Sequence, residues 1–158
     1  IIRLKENLVR LNFNTKVLNK DFTNFESKEK FDFIIIDSPC SSIGTIRKNP
    51  EIFFQKKGPD FERLNILQEK MLEKASNIIN NNGIIIYMVC SFLENESTDQ
   101  IKKFLRNKEE FKLHNFKLLN ENSEYTKLVK NNFMMTLPNS VLGYNIDGYF
   151  AAFIKKVK

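Results

Sequence analysis

The chain has 158 residues, 42% apolar and 28% charged, which is one domain's worth of sequence with enough apolar content for a real core. No run approaches the roughly 20 apolar residues that cross a bilayer and no leader pattern opens the chain, so a soluble cytoplasmic protein is expected, its two cysteines free thiols. A formal charge of +6 suits a polyanionic partner, while a lone histidine, His114, and the lack of a Cys-x-x-Cys pair argue against a metal centre.

Leu4, Leu8 and Leu11 recur at helical spacing with no capping residue ahead of them, which predicts that the chain begins inside a helix. With no initiator methionine either, residues 1–158 are expected to be the later part of a longer polypeptide and one incomplete domain. Thr15 to Leu18 predicts a short strand ending at Asn19-Lys20-Asp21, and Phe33 to Ile36 a second, central one. Gly44, Pro50, Gly58 and Pro59 then mark a long irregular segment, of the kind that is functional when it interrupts a compact domain.

From Asp60 to Asn80 the residues Phe61, Leu64, Leu67, Met71, Ala75 and Ile78 share one helical face, and Asn80-Asn81-Asn82-Gly83 is expected to end that helix. The continuous apolar run Ile84 to Val89 reads as a strand covered on both faces, as in a parallel sheet. A further helix is expected over Glu94 to Asn107, with acidic residues in its first turn where they suit the helix dipole. Phe111 and Leu113, extended by Phe116 and Leu118, predict another strand, and Gly148 to Ile154 a last one. Strands alternating with helices give an α/β fold, a doubly wound and mostly parallel sheet finished by a hairpin-like pair with an antiparallel final strand.

Both cysteines sit where an apolar strand gives way to a polar loop: Asp37-Ser38-Pro39-Cys40 after the first central strand, Val89-Cys90-Ser91 after the second. If the two strands are parallel neighbours, both sulfurs emerge at the carboxyl edge of one sheet, where open α/β folds place their ligands. A lone cysteine is most often a small buried hydrophobe, and an Asp before Ser-Pro is often a turn former; two thiols and an Asp at matched strand ends favour chemistry over both readings. Arg47, Lys48, Lys56 and Lys57 follow in the same segment, opposed by Glu51 and Asp60, and Arg47 and Lys48 suit the phosphates of a polyanion or a solvated loop equally.

Asp37-Ser38-Pro39-Cys40-Ser41-Ser42-Ile43-Gly44-Thr45-Ile46-Arg47-Lys48-Asn49-Pro50-Glu51-Ile52 resembles the fourth motif of the RNA cytosine carbon-5 methyltransferases, the Sun-type or RsmB-like group that modifies bacterial small-subunit ribosomal RNA. Leu67-Gln68-Glu69-Lys70-Met71-Leu72 resembles that family's following helix, Tyr87-Met88-Val89-Cys90-Ser91-Phe92 its sixth motif, and Asn95-Glu96 the polar pair after it. Thr136-Leu137-Pro138 and Asp147-Gly148-Tyr149-Phe150 resemble its closing strands. The resemblance spans nearly the whole chain.

It implies a Rossmann-like methyltransferase that uses S-adenosylmethionine and acts on RNA, ribosomal RNA in particular; a monomer is expected. By resemblance, Cys90 is the nucleophile that adds to carbon 6 of cytosine, Cys40 assists loss of the carbon-5 proton and release of the enzyme, and Asp37 binds the cytosine edge and borders the cofactor. Asp21 resembles the acidic residue that contacts the cofactor's adenine, and Pro39, Arg47 and Lys48 are the expected substrate contacts. Val89 stands where the family usually has threonine, and Asn139 where histidine is common.

The family's glycine-rich cofactor loop and its ribose-binding acidic residue have no counterpart in these residues, so residues 1–158 alone are expected to bind S-adenosylmethionine poorly and turn over little. Two alternatives stand beside this reading. A DNA cytosine-5 methyltransferase would use the Pro-Cys cysteine as nucleophile, and a non-catalytic RNA-binding or ribosome-assembly module on the same sheet would need neither thiol.

Overall fold

The computed structural model describes residues 1–54, 57–115, 128–141 and 144–158. Helix α1 (Ile2–Arg10) opens the chain and buries none of its side chains. Strand β1 (Phe31–Asp37) alternates as its Phe-Asp-Phe-Ile-Ile-Ile sequence dictates: Ile34 and Ile36 point into the core, while Phe33 and Ile35 remain 67% and 65% exposed on the other face. Residues Thr15 to Leu18, expected as a strand, form no ladder with any strand among the described residues; an extended segment without a hydrogen-bonding neighbour is not a strand, whatever its β propensity.

Helix α2 (Phe61–Ile78) starts where Asp60 accepts the Arg63 amide at 3.0 Å, an N-cap that satisfies an otherwise orphaned donor. It lays Leu72, Ala75 and Ile78 on the sheet. Strand β2 (Ile79–Val89) begins five residues before the expected Ile84, because the asparagine run continues the strand as an irregularity instead of closing a loop. Asn82 takes φ 63°, a left-handed conformation that Asn tolerates better than most residues, and the β1 register shifts between Phe31 and Phe33.

A 3-10 turn at Glu94–Glu96 precedes α3 (Thr98–Asn107), so the expected helix from Glu94 is broken at Ser97, whose hydroxyl donates back to the Leu93 carbonyl at 2.7 Å. Ile101 and Phe104 of α3 face inward, and the Phe104 ring lies 5.2 Å from that of Phe111 in β3 (Phe111–Leu113). Phe116 and Leu118, expected to extend that strand, lie outside the described residues.

Strands β4 (Val129–Lys130) and β5 (Phe133–Thr136) form a hairpin across Asn131-Asn132, both at positive φ, as a two-residue loop of the primed type requires. A second, two-stranded sheet joins β6 (Ser140–Val141) to β7 (Tyr144–Asn145). The final strand β8 (Tyr149–Lys156) runs antiparallel to β2 along one edge. Its other edge is shared by β5, at Tyr149 to Ala152, and β3, at Ile154 to Lys156. Strands β1, β2 and β3 therefore point one way and β8, inserted between β2 and β3, opposes them: the sheet is mixed, with the expected antiparallel last strand, and β1 with β2 is its parallel pair among the described residues. The β4–β5 hairpin is an addition to it.

Helices α2 and α3 cover one face of the sheet. There Ile34, Ile36, Ile85, Tyr87, Val89, Phe150, Ala152 and Ile154 form a continuous core with Leu72, Ala75 and Ile101, each buried aliphatic side chain contributing on the order of 2 kcal/mol. No described helix is long and apolar enough to cross a membrane.

Candidate active site

The parallel register of β1 and β2 pairs Asp37 with Met88 and brings both following loops to the same sheet edge. The Ser38 amide extends the ladder by one bond, donating to the Met88 carbonyl at 2.9 Å, and the Gly44 amide closes the far end of the loop on the Cys90 carbonyl at 3.0 Å. Held at both ends, the loop sets Cys40 Sγ 3.3 Å from Cys90 Sγ, with Ser42 Oγ 3.4 Å from Cys90 Sγ. Both thiols are free and half-buried. Burial, and then the hydrogen bond to Cys90, push the Cys40 thiol up to about 12, with the nearby charges of Cys90 and Glu96 acting in the same direction. Cys40 therefore keeps its proton through the physiological range.

Asp37 ends β1 with an exposed side chain that takes part in no hydrogen bond among the described residues. Pro39 lies between Asp37 and Cys40, and its carbonyl accepts from Gln68 Nε2 of α2 at 2.9 Å. On the other side of Cys40, the fully buried Glu96 takes the Ser41 amide on one carboxylate oxygen at 2.7 Å and the Ser41 hydroxyl on the other at 2.5 Å. Tyr87 donates its hydroxyl to the Glu96 carbonyl at 2.8 Å. Sequence reasoning missed Glu96 and Gln68 as parts of this site; both stood inside motif-like segments, and the one local signal was a polar residue on an otherwise inward-facing turn.

Arg47 and Lys48 belong to the same loop but are already engaged. Asp147, its side chain only 5% exposed, accepts from Arg47 at 3.1 Å and Lys48 at 2.7 Å, and the hydrogen bond from Lys48 holds its carboxyl below the usual carboxylate range. The next residue, Gly148, donates its amide to the Gly44 carbonyl at 2.7 Å, which ties the loop to the start of β8. Asp21 stands apart. Its carboxylate accepts from the amide and hydroxyl of Thr23, at 2.9 and 2.8 Å, and the hydroxyl bond lowers its carboxyl from the ordinary value. It lines a cleft of about 800 Å³ with residues of α2 and α3, a lining that includes neither cysteine nor Asp37.

The family described as 16S rRNA methyltransferase RsmB/F matches residues 1–155. The chain belongs to that family. Among relatives of the RsmB/F family, the ribosomal RNA small subunit methyltransferase B of Shewanella oneidensis is 37% identical over 70% of this chain and 27% of its own length. The protein of the same name from Pasteurella multocida is 32% identical over 98% of this chain and 34% of its own. The chain thus spans about a third, or less, of these curated relatives. In the fold comparison, NSun6 from Pyrococcus horikoshii, solved with SFG, superposes with a TM-score of 0.80 at 22% identity, over 99% of this chain and 38% of that one. The Rossmann-like methyltransferase fold expected of the RsmB/F family is the fold observed.

Proposed function

We propose that the protein methylates carbon 5 of cytosine in RNA, ribosomal RNA in particular, with S-adenosylmethionine as methyl donor and Cys90 as the covalent nucleophile. The observation that carries this reading is the 3.3 Å approach of two free thiols at the carboxyl ends of parallel strands, one of which retains its proton. Carbon 5 of cytosine is a poor nucleophile. When the Cys90 thiolate bonds to carbon 6, the 5,6 electron pair is left on carbon 5, and Asp37, at the edge of the ring, favours a proton on ring nitrogen 3. Because Cys90 is then neutral and bonded, its hydrogen bond and charge no longer hold up the Cys40 thiol, which sheds its proton to solvent more readily. Cys40 then takes the proton from the methylated carbon 5, the 5,6 double bond re-forms, the bond from Cys90 to carbon 6 breaks to return the thiolate, and ring nitrogen 3 gives up the proton it gained.

The residues present fit S-adenosylmethionine at its reactive end: the exposed carboxylate of Asp37, three residues before Cys40 at the same sheet edge and unpaired among the described residues, complements a cationic sulfonium. When bound, the cofactor supplies a methyl group carried on positively charged sulfur. Asp21 is proposed to contact its adenine through the carboxylate oxygen that Thr23 does not use, on which the Asn24 side-chain amide donates at 3.5 Å and which can accept a further bond. Pro39, Arg47 and Lys48 are proposed to meet the substrate; Arg47 uses one of its five N–H donors on Asp147 and has others to offer a phosphate. A cytoplasmic monomer acting on RNA without a metal completes the proposal.

Trapping with RNA carrying 5-azacytidine tests it. The intact polypeptide is expected to form a covalent adduct that Cys90→Ala abolishes, whereas Cys40→Ala lets an adduct with ordinary RNA accumulate. The reverse assignment, with Cys40→Ala abolishing the adduct, would indicate the DNA-type mechanism. RNA binding without any adduct, unaffected by replacing both cysteines, would indicate a non-catalytic module.

A further inference from the structure

The loop that presents Cys40 is gripped from beneath on both sides of the cysteine by two side chains with no solvent exposure. Gln68 holds the residue before it, through the Pro39 carbonyl, and Glu96 the residue after it, through both the amide and the hydroxyl of Ser41. The Glu96 arrangement is unusual in its cost. A carboxylate taken wholly out of water loses several kcal/mol of hydration unless it is compensated, and no Lys or Arg pairs with Glu96 among the described residues. Among the described residues its compensation comes from Ser41, so the group is best stabilised when the Cys40 loop is docked in the observed position. Glu96 itself sits six residues after Cys90, on a turn fastened to β2 by the Tyr87 hydroxyl.

We propose that Glu96 is a positioning residue: its buried carboxylate clamps Ser41 and thereby locks the Cys40 loop onto the Cys90 loop, setting the distance between the two sulfurs. The proposal rests on the paired-thiol chemistry above for its purpose but not for its geometry. A carboxylate accepts on two oxygens at once, matching two donors of one residue; an amide offers one acceptor and an alanine none. Glu96→Gln keeps the volume and one of the two bonds, whereas Glu96→Ala releases the loop while the Gln68 bond and the Gly44 ladder still anchor it elsewhere.

The test uses dibromobimane, which fluoresces once it has bridged two neighbouring thiols, with monobromobimane reporting the reactivity of each thiol singly. In the intact polypeptide, the ratio of bridging to single alkylation is expected to fall at least about tenfold in Glu96→Ala, the fold-change of one charge-assisted hydrogen bond, because the variant removes both bonds from Ser41. Glu96→Gln is expected to restore most of it and Ser41→Ala to fall between. Glu62→Gln, at an exposed position in the first turn of α2, serves as the control and is expected to leave the ratio unchanged. If Glu96→Ala does not fold, Ser41→Ala decides. A ratio indifferent to Ser41→Ala, or to a folded Glu96→Ala, overturns the clamp. Because the ratio needs no RNA, a lost ratio in an enzyme that never traps 5-azacytidine RNA would uphold the clamp and refute the covalent mechanism, and normal trapping with an indifferent ratio would do the opposite.

Discussion

Gly44 and Gly148 meet backbone to backbone: the Gly148 amide donates to the Gly44 carbonyl at 2.7 Å, and a Cβ built on Gly44 would lie 1.9 Å from the Gly148 oxygen. Only the absence of a side chain allows the Cys40 loop to touch the entrance of β8. Gly44→Ala must push two main chains apart, since neither obstacle is a side-chain tip that can swing away. It is expected to destabilise the fold by about 1–3 kcal/mol or more, read as a lower midpoint in chemical denaturation with an unchanged slope. Equal midpoints for the two proteins would show that the loop does not depend on this approach.

Tyr87 is wholly buried in β2, and its hydroxyl, pushed well above its ordinary range by burial, donates to the Glu96 carbonyl at 2.8 Å. Tyr87→Phe keeps the ring against Phe150 but leaves that carbonyl without its donor. A loss of about 1–3 kcal/mol is expected, measured by urea unfolding. A neutral substitution would mean that another donor reaches the carbonyl.

The Cys40 thiol, raised from 9.0 to about 12, stays protonated through the physiological range, so its alkylation by iodoacetamide should climb only at strongly alkaline pH. In Cys90→Ala the hydrogen bond and the like charge vanish while burial remains. The thiolate then forms at lower pH, and the rate profile is expected to move to the acid side without reaching that of an exposed cysteine. Mass spectrometry of the alkylated peptide against pH gives the curve; superimposable profiles would exclude coupling between the sulfurs.

Asp147 has its carboxyl lowered from 3.8, first by the Lys48 hydrogen bond, then by the charges of Lys48 and Arg47. A carboxyl depressed in the folded state contributes stability above the ordinary carboxylate value and loses it as pH falls through its folded one. Asp147→Asn is therefore expected to lower Tm at neutral pH, with the gap to wild type closing as pH drops well below 3.8. A gap independent of pH would assign the effect to packing and not to charge.

Much of the site was legible because it depends on local patterns. The apolar runs ending at Ile36 and Val89 announce strands, and strand ends are where an α/β sheet exposes its chemistry, so Cys40, Cys90 and Asp37 could be placed at one edge before their distances were known. Helix α2 was equally plain, its inward residues repeating at helical spacing with Asp60 ahead of them. What escaped depends on partners distant in sequence. Glu96 reads locally as an acidic residue in a helix's first turn, and only Ser41, 55 positions away, makes it a buried clamp. Arg47 and Lys48 read as free cations until Asp147 arrives from 100 positions downstream of Arg47. Strand β5 carries no alternation, all four of its residues being half-buried, so periodicity had nothing to report. Thr15 to Leu18 failed for the converse reason, strand-like composition without a neighbour to pair with.

Strand β8, the last of the described strands in chain order, lies between β2 and β3, and the Gly148 amide just ahead of it holds the Gly44 carbonyl. One segment therefore does two jobs: it joins the halves of the sheet, and it fastens the loop that carries Cys40. A substitution that loosens the entrance of β8 is felt at the sulfurs as well as in the core.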